Sequence, residues 1–581
     1  MNISITALKY IIFAVIATLA NLGAQRFILS IGEDENPIIL AIFVGTIIGL
    51  VIKYQLDKKW IFYFKNVHFI NETGNFFLYS FFGLFTTSIF WITELFFWMT
   101  TKDQLMRELG AITGLIIGYI LKYHIDKKYI FKKKIIIGKD RMKITGWGRF
   151  PCFETTLITP RNIDELREHT RCGSFIARGN GRSYGDSSIN ENKTICMKEM
   201  DHFLNFNNNN GELIVQSGVL IKDIINIFVK KGWFVPVTPG TKFVTVGGMV
   251  ASDVHGKNHH KHGSFGNFIE WIEILNVNGK ILKCSKQKNS KLFNLTIGGM
   301  GLTGIILKVA FKLTKIETSW IKQTIIPAQN LDHIINLFDE FKNATYSVAW
   351  IDCLSSGSDF GRALMFLGEH ALESDLNKYK QKEPLKLNED NNLNIMFNFP
   401  KFILNKFFIK VFNSLYFHYG KFKNKNSLVE IKKFFYPLDS LLNWNRIYGK
   451  SGFIQFQCVL PINNSTQGIT EILNFIKSEK GNAFLAVLKK LGKEERYISF
   501  PMEGYTISLD FAVNENNIRI VEKLDEIVLK YKGRFYLSKD SRMKSNTLFQ
   551  ADKRYFDFSN IRKKNKLDTK FQSAQSIRLK I

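Results

Sequence analysis

Thirty residues from Thr238 to Asn267, TPGTKFVTVGGMVASDVHGKNHHKHGSFGN, hold six glycines and four histidines. Glycine carries no Cβ, so its backbone turns tightly and approaches a ligand closely. Imidazole takes up a proton near neutral pH and also ligates metals. His255, His259, His260 and His262 lie close together, yet only Asp253 accompanies them and no thiol stands at ligand spacing. No metal site is therefore expected. The chemistry left is the wrapping of something flat and polar, for which a flavin is the candidate.

The apolar run Met249–Ala251 reads as a buried strand or helix start between two ligand-facing turns. Two further glycine-rich stretches flank this one, FIARGNGRSYGDSSIN at 175–190 and GGMGLTGII at 298–306. In the first, the short strand Phe175–Ala177 leads into Gly179, Gly181 and Gly185, a spacing that makes a nest of backbone N–H groups for phosphate. One such loop is weak evidence. Three at domain-scale intervals point to an extended, phosphate-bearing cofactor. No βαβ unit with a ribose-binding acid accompanies them, which excludes a nucleotide-binding Rossmann domain. Pro160, Arg161 and Asn162 before Asp164 and Glu165 predict a turn and an N-capped helix.

The chain has 581 residues, enough for three or four packing units, and a formal net charge of +28. That charge suits nucleic acid or an anionic membrane face. Four apolar stretches, roughly 7–29, 37–52, 76–99 and 109–121, favour the membrane over nucleic acid. The six cysteines form no CxxC pair and read as reduced thiols of a cytosolic domain.

The second and fourth apolar stretches end alike, in GTIIGLVIKYQLDKKWIF (45–62) and GLIIGYILKYHIDKKYIF (114–131). Gly45, Gly49, Lys53, Asp57, Lys58 and Lys59 recur 69 positions later as Gly114, Gly118, Lys122, Asp126, Lys127 and Lys128. Such an internal repeat predicts two hairpins of the same orientation. The Lys-rich ends are expected in the cytoplasm and the acidic GEDEN loop outside. The basic run 132–143 would follow the inner leaflet. The duplicated ending and four spans resemble the GtrA-like family, associated with handling polyprenyl-phosphate-linked sugars across membranes.

From Ile144 onward the chain resembles the vanillyl-alcohol-oxidase-type FAD fold, and most of all the decaprenylphosphoryl-ribose 2′-oxidase family. The stretches that carry this are GWGR (146–149), ARGNGRSYGD (177–186), FVPVTPGTKFVTVGG (234–248) and HGKNHHKHGSFGN (255–267). GGMGLTGII (298–306), FYPLD (435–439), WNRIYG (444–449), GFIQFQ (452–457) and LSKDSR (537–542) continue it in family order. The implied fold is a four-helix transmembrane domain (1–131), a linker (132–143), and an α+β two-domain FAD-binding oxidoreductase. In the latter, 144–325 binds FAD, 326–534 binds substrate, and 535–581 returns to the FAD domain.

The resemblance implies roles. Arg178, Gly179, Asn180, Gly181, Arg182, Ser183 and Tyr184 would hold the FAD pyrophosphate and flank the flavin. Pro239, Gly240, Thr241, Thr245, Gly248, Ser252, Gly263, Ser264 and Asn267 would continue the cradle, with Ile305 and Ile306 at the adenine end. Relatives with covalent flavin often carry a histidine where this chain has Arg182, so FAD is expected to be non-covalent. Oxidising an alcohol needs a base for the hydroxyl proton and a hydride acceptor. His255 and Lys539 are the implied pocket residues beside the flavin, with Tyr184; either of the first two could take the proton. Tyr436, Gln455, Gln457, Lys489, Thr506 and Ser508 would face substrate, the last two standing where relatives often have Asn-x-Cys. Near the C-terminus Ala574 stands where relatives tend to have an acid.

The implied activity is oxidation of the 2′-hydroxyl of polyprenyl-phosphoryl-ribose to a keto intermediate, the first half of epimerisation to the arabinose lipid. An NAD(P)H-dependent keto-reductase would complete it, and quinone or oxygen would reoxidise the flavin. Two other readings are an aldonolactone or alditol oxidase and a lipid-sugar translocator with a non-catalytic flavin domain. The expected location is the cytoplasmic membrane, multi-pass, with membrane lipids around the N-terminal part and the catalytic part in the cytoplasm. Polar residues 373–394 predict a mobile loop, and the basic, aromatic 397–417 an interfacial segment.

Overall fold

The computed structural model describes residues 3–31, 37–57, 69–126, 141–390, 392–422, 426–481, 483–494 and 496–581. It divides into two compact units, residues 1–135 and 136–581. The GEDEN loop, the ends of both Lys-rich repeats and the basic run up to residue 140 lie outside the described residues.

The first unit holds α1 (Ile3–Ile31), α2 (Pro37–Leu56), α3 (Phe69–Thr101) and α4 (Gln104–Ile125). α1 packs on α2 and α3 on α4. The repeat extends to this packing. An added Cβ on Gly49 would lie 3.0 Å from the Ala17 carbonyl, and one on Gly118 would lie 3.3 Å from that of Thr86. Both glycines thus mark equivalent close approaches of paired helices. Lys53 pairs with Asp57 at 3.0 Å, and Lys122 with Asp126 at 3.3 Å. Tyr79 joins them, donating to Asp57 at 2.6 Å and lying beneath the Lys122 ammonium at 3.7 Å. Considering only the described residues, no helix is long and apolar enough to cross a membrane. Polarity is nonetheless inverted. Asp57, Asp126, Thr86 and Lys122 are buried, while Val15, Leu19, Phe27, Phe81, Ile92 and Met99 are exposed.

The second unit begins with a four-stranded sheet of β1 (Arg141–Thr145), β2 (Cys152–Ile158), β3 (Ile176–Arg178) and β4 (Lys193–Cys196), in the order β1-β2-β4-β3. A five-stranded sheet follows: β5 (Phe203–Asn207), β6 (Glu212–Gln216), β7 (Ile269–Leu275), β8 (Ile281–Ser285) and β9 (Ile305–Lys312), ordered β5-β6-β9-β7-β8. Between β6 and β7 lies the short helix α5 (Val246–Ala251).

An eight-stranded sheet carries the rest. Its strands are β10 (Trp320–Ala328), β11 (Tyr346–Ile351), β12 (Ala363–His370), β13 (Asn426–Glu430), β14 (Phe453–Pro461), β15 (Ala483–Leu491), β16 (Gly504–Ala512) and β17 (Arg534–Phe535). Their order is β13-β10-β12-β11-β15-β16-β14-β17. Strand side chains alternate between faces. One face puts Phe456, Cys458, Leu488, Ile507 and Leu509 into the main core beneath α6 (Leu331–Glu340), α8 (Ser465–Ser478) and α9 (Glu515–Lys530). The other face looks into a cavity, and α7 (Lys406–Phe422) packs over its β10–β12 end.

The chain returns at its C-terminus to the first sheet: Phe571 bridges Phe175, and Arg578 pairs with Asp186 and Asp540, each at 2.8 Å. Ala574, in the place of an acid, sits in a helix start capped by Ser573 and Ser576. The segment 373–394, expected to be mobile, has two short helical turns. It is anchored where Ser319 donates to Pro384 and Lys386 and where Asp390 pairs with Lys242.

Candidate active site

A cavity of about 570 Å³ lies between the glycine-rich loops and the open face of the large sheet. One end is mostly backbone. β3 ends at Arg178, whose guanidinium donates to the Thr145 carbonyl at 2.7 Å. The chain then turns through Gly179–Ser183, with Gly181 at φ +64. The Asn180 side chain donates to the Phe243 carbonyl at 2.8 Å and ties this loop to the second one. An added Cβ on Gly179 would fall 2.1 Å from Thr245 Oγ1. That hydroxyl caps α5, accepting from Gly248 N at 3.2 Å. Arg182 is clamped over the Trp147 ring at 3.9 Å and beside Phe243.

Pro239, Gly240, Thr241, Gly248, Ser252 and Ile306 complete this end. An added Cβ on Gly240 meets nothing within 4 Å, so the cradle is open there. The buried Ser217 hydroxyl borders the cavity and has no hydrogen-bond partner among the described residues. Buried polar atoms are normally satisfied, so this one marks a place for a polar ligand. The donor set fits an extended cofactor with phosphates, as FAD has.

The sheet supplies the other end by period-two alternation. Gln455 and Gln457 of β14, Leu485, Val487 and Lys489 of β15, and Ser508 of β16 face the cavity together. Cross-strand register pairs Gln455 with Asp510 and Gln457 with Ser508. Val348 and Trp350 of β11, Phe366 of β12, and Phe412 and Tyr416 of α7 make an apolar wall beside them.

His255, Lys539 and Tyr184 meet here. The Gln457 amide donates to His255 Nε2 at 3.2 Å, and His255 Nδ1 has no partner among the described residues. Burial first, then the Lys489, His259 and Lys539 charges, pushes the imidazole well below its usual range. It is therefore neutral at physiological pH. The Lys539 ammonium sits 3.8 Å above the Tyr184 ring. Burial lowers its pKa against the opposing pull of Asp510, and burial raises that of Asp510. The carboxylate accepts from Gln455 at 2.5 Å and from Tyr448 at 3.3 Å. Burial pushes the Tyr184 phenol well up, which disfavours its use as a base.

Most of the residues implied by sequence border this cavity; six do not. Gly263 closes the turn after His259–His262, and Asn267 donates to the His262 carbonyl and accepts from Arg496. Both are thus used up in loop structure, with Ser264 buried between them. Ile305 packs into a small core with Phe175 and Phe571, while its neighbour Ile306 faces the cavity. Tyr436 is bonded to Thr238 at 2.6 Å, behind the wall. Thr506 accepts from Gln457 at 3.2 Å and supports that side chain instead of reaching substrate space.

Sequence reading missed Asp510, Lys257 and Trp350, and it marked 397–417 as an interfacial segment without placing Phe412 and Tyr416 in the cavity. Asp510 had a signal: it is the lone carboxylate in GYTISLDF, on the same face as Thr506 and Ser508. Lys257 lies two residues beyond His255. It is partly buried, donates to the Phe434 carbonyl, and lies 4.2 Å over the Phe434 ring. Burial and Lys489 bring its pKa down to about 7. Lys489 is brought to about 8 by burial.

Residues 155–285 match the family model described as an FAD binding domain. Decaprenylphosphoryl-beta-D-ribose oxidase of Mycolicibacterium smegmatis is 34% identical over 451 residues, covering 76% of this chain and 97% of the relative. The chain belongs to the decaprenylphosphoryl-ribose oxidase family. It is an FAD-dependent oxidoreductase, and the glycine-lined end of the cavity is where the family's cofactor fits. More distant likenesses are confined to parts of the chain. D-lactate dehydrogenase of Anaerostipes hadrus is 33% identical over 27% of this chain and 34% of the relative. L-gulonolactone oxidase of Bos taurus is 24% identical over 36% of this chain and 49% of the relative.

Proposed function

We propose that this family member oxidises the 2′-hydroxyl of a polyprenyl-phosphoryl ribose to the 2′-keto sugar. The observation that carries the reading is the composition of the cavity beyond the glycine loops. The partly buried amino groups of Lys257, Lys489 and Lys539 line it, next to an apolar wall of Trp350, Phe366, Leu485 and Tyr416. An anionic sugar phosphate with a lipid tail uses both features, whereas a free aldonolactone uses neither.

FAD, when bound, supplies the two-electron acceptor. His255 and Lys539 are the bases available for the hydroxyl proton, since burial favours the uncharged form of each. Gln457 holds the imidazole at Nε2, and Asp510 is placed to tune the Lys539 ammonium. The apolar wall excludes water, which strengthens these interactions. The keto product requires a reductase, NAD(P)H-dependent in this reading, to complete epimerisation to the arabinose lipid for envelope polysaccharide. Quinone or oxygen would reoxidise the flavin.

The first unit belongs to the same proposal, as a membrane domain that holds or translocates the lipid-linked sugar, with the oxidase on the cytoplasmic side. Its exposed apolar residues and its Lys–Asp pairs, with Asp57, Lys122 and Asp126 buried, support this, since a lipid-facing surface is apolar and ionisable groups turn inward. The test is product analysis. Purified full-length protein given polyprenyl-phosphoryl ribose should yield a product lighter by two hydrogens at C2′. Turnover of free aldonolactones with none of the lipid-linked sugar would reject the reading.

A further inference from the structure

α7 has two unlike faces. Ile409, Asn413, Phe417 and Gly420 recur every three or four residues and are buried. Asn413 donates to Asp352 at 2.7 Å, and an added Cβ on Gly420 would lie 2.3 Å from Leu364. The helix is therefore held tightly to the sheet along this side. The opposite side exposes Phe407, Phe408, Val411, Leu415, Tyr419 and Phe422, with Leu415 at 67% and Phe422 at 83%. Met396 and Phe397, just before the helix, are exposed as well. Apolar surface of this extent on one helix marks an interaction site.

Charge decides the partner. Residues 393–422 contain four lysines, Lys401, Lys406, Lys410 and Lys421, and no aspartate or glutamate. Lys410 and Lys421 are exposed beside the aromatic face. A protein groove that received so many aromatics would be apolar, and the lysines would find no reward there. An anionic bilayer meets both demands, with acyl chains for the rings and headgroup phosphates for the ammonium groups. We propose that this face of α7 docks the catalytic unit onto an anionic lipid surface. The same helix supplies Phe412 and Tyr416 to the cavity, and Tyr416 packs against Trp350 with centroids 4.9 Å apart. α7 is thus a wall shared by the lipid and the active site. A polyprenyl tail would pass along it, a corollary that rests on the substrate proposed above.

The test uses full-length, FAD-loaded protein in nanodiscs of phosphatidylcholine with or without phosphatidylglycerol. p-Benzoyl-phenylalanine replaces Phe408, Leu415 or Phe422, with exposed Phe556 as control. Docking predicts photo-cross-links to lipid at the three α7 positions, stronger with phosphatidylglycerol and well above those at Phe556. Cross-links to a polypeptide, or lipid labelling no higher than at Phe556, would overturn it. A second arm combines Phe408→Gln, Leu415→Gln and Phe422→Gln. With flavin content unchanged, KM for the vesicle-borne substrate should rise at least about tenfold, given the apolar area removed from the lipid. KM for a short-chain, water-soluble analogue should stay put. An equal loss on both substrates would overturn the shared-wall corollary. If the wild type oxidised neither substrate, the substrate reading would fail while the cross-links still decided the docking.

Discussion

Gly179→Ala should loosen FAD without unfolding the catalytic unit. The new Cβ would start 2.1 Å from Thr245 Oγ1, far inside van der Waals contact, with Thr245 Cγ2 at 3.1 Å behind it. Thr245 cannot retreat freely, because its hydroxyl caps α5 through Gly248 N at 3.2 Å. Losing that cap costs about 1 kcal/mol, and overpacking adds about 1–3 kcal/mol. We expect the Gly179–Ser183 loop to yield at its Asn180–Phe243 tie when no cofactor holds it, which relieves the clash. With FAD bound, both loops must close together, so the cost falls on binding. The sum, about 2–4 kcal/mol, corresponds to roughly 30- to 900-fold weaker FAD affinity. Titrating apoprotein with FAD by fluorescence quenching measures it directly. In a Thr245→Ala background the obstructing oxygen is gone, and Gly179→Ala should cost less. Wild-type affinity in the single variant, or an undiminished penalty in the double, would refute the idea that these two loops close on the cofactor.

Further expectations concern charge. The rate of flavin reduction by substrate should rise with pH as Lys539 loses its proton. Asp510→Asn should move that limb to lower pH, because removing the carboxylate removes what favours the ammonium; an unmoved limb would show that Lys539 is not the titrating group. Arg578→Leu leaves the buried carboxylates Asp186 and Asp540 without their partner. Denaturant unfolding should show a loss of about 3–5 kcal/mol. Burial raises the Asp186 pKa, so the folded variant retains its proton better than the unfolded chain, and the loss should grow as pH rises. Acid precipitation should leave a colourless pellet and a yellow supernatant, since Arg182 stands on Trp147 where a flavin-linking histidine would be; a yellow pellet would contradict this.

The glycine-rich loops could be read from sequence because their function is a local backbone property. Gly179 and Gly181 sit where a side chain collides or φ is positive, and Asn162 caps its helix as its neighbours imply. Gly263, Ser264 and Asn267 of the glycine-rich stretch 238–267 form a turn outside the cavity lining. The substrate end was harder. Gln323, Trp350, Phe366 and Lys489 share one face only because the strands pair in the order β13-β10-β12-β11-β15-β16-β14-β17, which periodicity along the chain does not contain. Asp510 could have been found as a carboxylate on the polar face of its own strand. Lys257 gave no local sign that burial would lower its pKa.

The most direct measurement is anaerobic stopped-flow mixing of the full-length, FAD-loaded protein with polyprenyl-phosphoryl ribose, protiated or deuterated at C2′. The account predicts bleaching of the flavin band, slowed by deuterium at that carbon alone and lost when His255 and Lys539 are both replaced. Bleaching that ignores the label, or that needs neither side chain, would contradict it.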